Sequence, residues 1–389
     1  MYPNLYYAFR DLFGVEIEGL RVVNTFGFFV AIAFIISALV LANELKRKSK
    51  QGLLQPTEMQ IMVGEPATFG ELALNFLLGF LLGYKILAMF LLKRSATEDP
   101  QAFIFSTLGS WPAGIFLGLL FAGLKWWDKN KFKLEKPEKR TVRIWPHDRV
   151  GEITILALIF GLLGAKLFDI FENWSGFLQD PKSYLFSPSG LTMYGGLICA
   201  ALAIWIYARK YKIGFWHLND SAAPALMIGY SIGRIGCQVA GDGDWGIRSD
   251  LAQKPGFLPD WFWSYRFPHN VNEAGIPIPG CTDLKYCNQL EFGVYPTPLY
   301  EVIACFILFL ILWSVRKRLK TPGTIFALYL IFNGLERFLI EKIRVNNKMS
   351  FLGFNPTQAE VISSLLLLSG IILWIFLTQK AKKAKIKGA

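Results

Sequence analysis

Residues 22–43 read Val22-Val23-Asn24-Thr25-Phe26-Gly27-Phe28-Phe29-Val30-Ala31-Ile32-Ala33-Phe34-Ile35-Ile36-Ser37-Ala38-Leu39-Val40-Leu41-Ala42-Asn43, without one charged side chain. A helix of about 20 apolar residues crosses a hydrocarbon core of about 30 Å, so this stretch reads as a transmembrane span. It is too long for a signal-peptide core and follows no basic leader, so it is expected to remain as an anchor. Comparable stretches recur at 70–92, 110–127, 151–171, 191–208, 220–241, 296–315, 322–341 and 357–379. The expected fold is an all-α polytopic membrane protein with about nine transmembrane helices, a single transmembrane domain over 1–389.

The chain is 53% hydrophobic and 15% aromatic, with a formal net charge of +12. Such a charge could suit nucleic acid, but in a membrane protein basic residues collect on cytoplasmic loops. An odd number of spans puts the termini on opposite sides. With the N-terminus outside, the inner segments hold Lys46, Arg47, Lys48 and Lys50, the run from Lys129 to Arg149, then Arg209, Lys210 and Lys212. They also hold Arg316 to Lys320 and the tail from Lys380 to Lys387. That is roughly twice the basic count of the outer segments, so the N-terminus is expected outside, the C-terminus in the cytoplasm, and no nucleic acid is expected as a partner. The long stretch 242–295 becomes an extracytoplasmic loop, where Cys281 and Cys287 are candidates for a disulfide.

The chain also resembles itself at an offset of 81 residues. Gly70-Glu71 aligns with Gly151-Glu152, Gly83 with Gly164, Lys85 with Lys166, Phe90 with Phe171, Asp99-Pro100 with Asp180-Pro181, Phe105-Ser106 with Phe186-Ser187, and Gly114 with Gly195. Apolar helices match one another by composition, but a shared Asp-Pro and shared intramembrane Glu and Lys are not compositional. We read a tandem repeat of two-helix hairpins in parallel orientation, one copy within 60–130 and the second within 148–212.

Charged residues within spans are costly and tend to face cavities or partners. One run is Gly233-Arg234-Ile235-Gly236-Cys237-Gln238-Val239-Ala240-Gly241-Asp242-Gly243-Asp244-Trp245-Gly246. Arg234 suits bidentate phosphate binding, with Asp242 and Asp244 to orient it or accept a proton; the bland alternative is a plain ion pair. Another run, Tyr295-Pro296-Thr297-Pro298-Leu299-Tyr300-Glu301, starts a helix and places Glu301 just inside it. A further run is Asn333-Gly334-Leu335-Glu336-Arg337-Phe338-Leu339-Ile340-Glu341-Lys342-Ile343-Arg344. Its Arg337, Glu341 and Arg344 share one helix face, as a functional set or as a self-paired helix end.

Together with Leu191-Thr192-Met193-Tyr194-Gly195-Gly196, these runs resemble the prolipoprotein diacylglyceryl transferase family, in matching order along the chain. The resemblance covers 140–379 well and 1–50 loosely, and leaves the hairpin at 60–130 as an addition. It implies a bacterial inner-membrane enzyme opening laterally to lipid. It would move diacylglyceryl from phosphatidylglycerol to the lipobox cysteine of a prolipoprotein and release glycerol phosphate. The family's arginine maps to Arg234, its glycine to Gly246, and the arginine and glutamate of its later helix to Arg337 and Glu341. Where the family has a histidine before Gly-Gly, this chain has Tyr194; its asparagine is Cys237; its early tyrosine is a phenylalanine near Gly27. The loop is one residue longer, so the family's glutamate corresponds to Asp242 or Asp244.

The expected catalytic set is therefore Tyr194, Asp242, Asp244, Arg337 and Glu341. The expected substrate-binding set is Arg234, Gly195, Gly196, Gly246, Tyr300, Glu301 and Arg344. No metal or cofactor is expected. A thiol of pKa about 8.5 must lose its proton to attack, and a phenol of pKa about 10 is a poor base, so an aspartate, Asp242 slightly ahead of Asp244, is the expected proton acceptor. No histidine is expected in that role. Two other readings stand beside this one. The first is a lipid transporter or flippase, suggested by the repeat and by Glu71, Lys85, Glu152 and Lys166. The second is an inactive lipid-binding relative, suggested by the absent histidine.

Overall fold

The computed structural model describes residues 1–91, 103, 107–186, 190, 192–283, 285–346 and 355–387. The aligned Asp99-Pro100, Phe105-Ser106 and Ser187 lie outside the described residues, as does Leu191. A short helix, α1 (Leu5–Phe13), precedes the long ones. These are α2 (Thr25–Lys50), α3 (Phe69–Leu81, continued by a π-turn over Leu82–Leu87), α4 (Trp111–Lys131), α5 (Val150–Glu172) and α6 (Met193–Lys210). They continue as α7 (Phe215–Ala240), α8 (Thr297–Val315), α9 (Thr324–Glu341) and α10 (Gln358–Lys387). Among the described residues, 5 helices are long and apolar enough to cross a membrane by length and composition alone: α2, α3, α5, α8 and α10. The chain is a mostly helical membrane protein.

Local chemistry sets the helix starts. Asn24 Oδ1 accepts from the amides of Phe26 (2.8 Å) and Gly27 and so caps α2. Thr68 and Glu71 form a reciprocal capping box on α3. The N-terminus of α9 is capped from another helix, since buried Asp220 of α7 accepts from Gly323 N (2.8 Å) and Phe326 N (3.0 Å). Lys48 of α2 lies 3.7 Å from the same carboxylate, and Glu44, 1% exposed, holds Arg47 and Arg316. This end of the bundle is tied by charge as well as by packing.

Helix α7 is the central post. Ala223 and Met227 pack with Cys305 and Leu312 of α8 and Ile325 of α9. Its other side meets α2, where Gly229 and Gly236 lie close to Ser37, Phe26 and Phe29. Gly334 and Gly370 let α9 and α10 approach with backbone nearly in contact.

The hairpins α3–α4 and α5–α6 are built alike. A methyl group on Gly83 would strike Ala113 and Gly114 Cα (2.9 Å); one on Gly164 would strike Gly195 O (2.5 Å) and Cys199. Lys85 Nζ donates to the carbonyls of Phe103 (3.0 Å) and Leu108 (2.7 Å), and Lys166 Nζ to that of Gly190 (3.5 Å). Glu71 also reaches Lys129 at 3.1 Å, and Glu152 accepts from the Tyr207 hydroxyl. The four charges that suggested a transporter therefore hold helix ends and connecting loops.

The structure departs from an all-α reading at two places. Strands β1 (Thr57–Val63) and β2 (Glu138–Ile144) form an antiparallel ribbon between the hairpin α3–α4 and the rest. Alternation of Met59 and Ile61 with Glu58 and Gln60, matched by Val142 and Ile144 about Arg143, suits paired strands. A smaller pair, β3 (Ile276–Pro277) and β4 (Asn288–Gln289), lies in the 242–295 loop. There Cys281 and Cys287 are bonded, with S–S 2.03 Å. Arg10 of α1 grips Asp283 inside that disulfide loop at 2.8 and 3.2 Å and holds its carboxyl below the usual carboxylate range.

The hairpin contact gives a paired prediction. Gly164→Ala should lower the thermal unfolding midpoint in detergent, because the added methyl meets backbone and overpacking costs about 1–3 kcal/mol. Gly161→Ala, on the same helix with nothing within 4 Å of the added carbon, should leave the midpoint unchanged or raised.

Candidate active site

Glu301 is 0% exposed at the start of α8, and three helices converge on it. Arg234 Nε of α7 lies 3.1 Å from one oxygen. Arg337 Nη1 of α9 lies 3.0 Å from the other, which also accepts from the Tyr230 hydroxyl at 2.9 Å. Pro298 in the first turn of α8 sets the helix start that places this carboxylate at the bundle centre. Arg344, beyond the end of α9, approaches Glu301 to 4.0 Å.

Asp244 is the second node. Its carboxylate binds both Arg234 and Arg344, and its own carbonyl accepts from Thr297 Oγ1 at 2.6 Å. The turn carrying it is possible because Gly241 and Gly243 take φ of 66° and 100°, where a side chain would be strained. Asp242 accepts from Asp244 N at 3.4 Å but pairs with no cation among the described residues. It clusters with Cys237 and Asp244, with ligating atoms within 4.8 Å of one another. Asp244 within that cluster is already shared by two guanidiniums.

Glu341 is the third node. It lies 3.3 Å from Arg337 Nη2, one helical turn away, and accepts from Thr357 Oγ1 at 2.7 Å and Asn346 Nδ2 at 2.5 Å. The start of α10 is thereby tied to the end of α9. A cavity of about 550 Å³ opens beside these groups, lined by Tyr194, Tyr230, Arg234, Asn333, Arg337 and Glu341 at its polar part. Leu197, Leu226, Ile362 and Leu366 are among its apolar lining. Polar groups converging on an otherwise apolar pocket are what an amphiphilic ligand requires.

The structure thus brings together Tyr194, Arg234, Asp242, Asp244, Glu301, Arg337, Glu341 and Arg344. It places others elsewhere. Gly195 and Gly196 face α5, against Phe168 and Gly161 O. Gly246 N donates to Tyr295 O at 2.8 Å, and the next residue pairs with Ile343, so Gly246 joins the Asp244 loop to the segment carrying Arg344. The Tyr300 hydroxyl donates to Phe262 O at 2.6 Å and does not line the cavity. His269 is turned to Tyr286 O at 2.9 Å within the 242–295 loop. Two participants were missed in the sequence. Tyr230 lies one turn before Arg234, and Asn333 one turn before Arg337, a spacing that puts each on its arginine's helix face.

Comparison with known proteins agrees with this arrangement. Residues 113–376 match the family described as prolipoprotein diacylglyceryl transferase, a match that begins inside α4 and runs into α10. A Clostridium novyi protein named phosphatidylglycerol–prolipoprotein diacylglyceryl transferase is 33% identical over 229 residues, covering 59% of this chain and 79% of that relative. A protein of the same name from Dehalococcoides mccartyi is 28% identical over 289 residues, covering 73% of this chain and 96% of its own. One from Leptospira interrogans is 29% identical over 219 residues, covering 50% and 61%. With the family match spanning more than half of its residues and the site assembled from those same helices, this chain belongs to the prolipoprotein diacylglyceryl transferase family.

Proposed function

We propose that this chain transfers the diacylglyceryl group of phosphatidylglycerol to the lipobox cysteine of a prolipoprotein, in the bacterial inner membrane. The observation that carries this is the meeting of Arg234, Arg337 and Arg344 beside an otherwise apolar cavity. Lipid tails suit the apolar lining, and a phosphodiester suits guanidiniums. Each guanidinium has five N–H donors, and the carboxylates occupy only part of them.

In the reaction the acceptor sulfur forms a bond to the glyceryl carbon that carries the phosphate. The carbon–oxygen bond breaks, and glycerol phosphate leaves with the electron pair. Charge grows on the leaving phosphate, where Arg234 and Arg337 act as preorganised donors. The thiol proton passes to Asp242, the carboxylate of the cluster free of a cationic partner, while Asp244, Glu301 and Glu341 hold the arginines in place. Tyr194 lines the same cavity within electrostatic reach of Arg337, Glu341 and Arg344, and in this reading it orients the thiol or the phosphate. Gly246 and Tyr300 act through the backbone they fix.

We read the long helices α2 to α10 as nine spans with the N-terminus outside. The excess of lysine and arginine on the opposite segments supports this, and so does a disulfide in the loop assigned to the oxidising side. The matched glycine contacts and lysine–carbonyl bonds of α3–α4 and α5–α6 support their origin as a tandem repeat.

The test is transfer of labelled diacylglyceryl from phosphatidylglycerol to a lipobox peptide by the purified chain, alongside rescue of a strain depleted of its own transferase. Absence of both sinks the proposal. Arg234→Lys should keep the fold and lower transfer by about 10²-fold or more, because lysine cannot hold Asp244, Glu301 and phosphate with one ammonium. Turnover at the unsubstituted rate would reduce Arg234 to an ion-pair partner. Asp242→Asn should lower kcat by about 10²–10⁴-fold with the unfolding midpoint unchanged. Asp244→Asn should instead lower the midpoint, since it strands two guanidiniums. The reverse pattern would make Asp244 the proton acceptor.

A further inference from the structure

The ribbon β1–β2 has one mainly apolar and one mainly polar face, and among the described residues neither is covered. Its register puts Thr57–Ile144, Met59–Val142, Ile61–Arg140 and Val63–Glu138 on one face, apolar toward the body and ending in the Arg140–Glu138 ion pair at the far end. Glu58, Gln60 and Met62, opposite Arg143, Thr141 and Lys139, form the other. Every strand residue is exposed or half-buried, including Met59 at 44%, Ile61 at 38% and Val142 at 38%. A lone two-stranded ribbon is marginal in water, and one with an open apolar face is an aggregation hazard.

Its attachments fix where it lies. The end at Thr57 and Ile144 follows α2 and precedes α5; the end at Val63 and Glu138 precedes α3 and follows α4. Both ends join helix termini at the same face of the bundle, and seven residues of strand span roughly 20 Å. The ribbon therefore runs sideways from the body to the hairpin α3–α4. Leu134 N bonds Gly64 O at 3.2 Å and closes the far end. Around it, Lys129, Lys131, Lys133, Lys136, Lys139, Arg140 and Arg143 outnumber Glu58, Glu65, Asp128, Glu135 and Glu138, with Arg140 paired to Glu138 and Arg143 to Glu58.

We propose that this ribbon lies flat on the bilayer, with Met59, Ile61, Val142 and Ile144 in the headgroup–acyl boundary and its basic residues on the phosphates of anionic lipid. The inference rests on the reading of the helices as spans. Exposed apolar area on one face, long basic side chains on both that can reach lipid phosphates, and anchorage at both ends meet the requirements of an interfacial element. A second copy of this chain would meet the same positive charge, which disfavours it as the occupant.

The test uses the full chain in vesicles of phosphatidylglycerol and phosphatidylcholine. Val142→Cys and Thr141→Cys are each made in a Cys199→Ala background and labelled with bimane; Cys237 and Cys305 are buried, and Cys281 and Cys287 are bonded to each other. Brominated acyl chains should quench the label at position 142 at least about three-fold more than at 141, and aqueous iodide should show the reverse order. Replacing phosphatidylglycerol by phosphatidylcholine throughout should weaken the bromine quenching. Equal iodide quenching at both positions would put the ribbon in water and overturn the proposal. Shielding of position 142 from both quenchers would mean a protein cover and overturn it too. A label at Leu119→Cys, on the exposed middle of α4, reports the spanning reading separately. If brominated lipid fails to quench it, that reading falls; if it is quenched while the ribbon is not, only the ribbon's placement falls.

Discussion

Removing the Glu301 carboxylate from water carries a heavy desolvation cost, and the bundle repays it by bringing Arg234, Arg337 and Tyr230 onto its two oxygens. Those partners come from α7 and α9, and the carboxylate itself from α8, so one anion fixes the relative rotation of three helices. Asp244 and Glu341 extend the same logic outward, the first fastening the loop after α7 and the second fastening α10. In hydrocarbon there is no water to relieve a misplaced charge, and a network this dense has few alternative arrangements. In the proposed reaction a phosphodiester entering the cavity would meet guanidiniums that are already oriented, which is the condition for electrostatic catalysis.

The opposite end of the bundle solves a related problem without a cavity. Asp220 terminates α9 from α7, while Glu44 joins α2 to the segment after α8. Helix α9 is thus gripped at its first residues by one carboxylate and at its last by others. Its register against α7 is set at both ends, and the position of Arg337 depends on a contact that lies most of a helix length away.

The five helices long and apolar enough to cross a membrane were legible because a hydrocarbon core demands a length and a composition that few other environments do; α2 and α5 are plain from hydropathy alone. Arg234, Glu301 and Arg337 stood out for the complementary reason, that charge is scarce in such helices. Their pairing was not legible, since it depends on three helices crossing at one point. The contacts of Gly195, Gly196 and Tyr300 were not legible either: they neighbour the site in sequence, and the glycines pack against another helix while the tyrosine hydroxyl bonds a loop carbonyl. The ribbon was overlooked because its alternation is short and falls between helices whose signal is far stronger.

Thr57 and Ile144 are partners across the base of that ribbon, so the chain leaves the body and returns to it at adjacent points. The chain between them, a strand, two long helices and a second strand, leaves and returns through that one doorway, while its far end packs on Val22 through Ala88, Met89 and Phe103. A segment with neighbouring ends can enter or leave a gene in one recombination event without rerouting the rest of the chain. The architecture therefore carries a ready seam, at which a related protein can lack the whole module and still join α2 to α5 through a short turn.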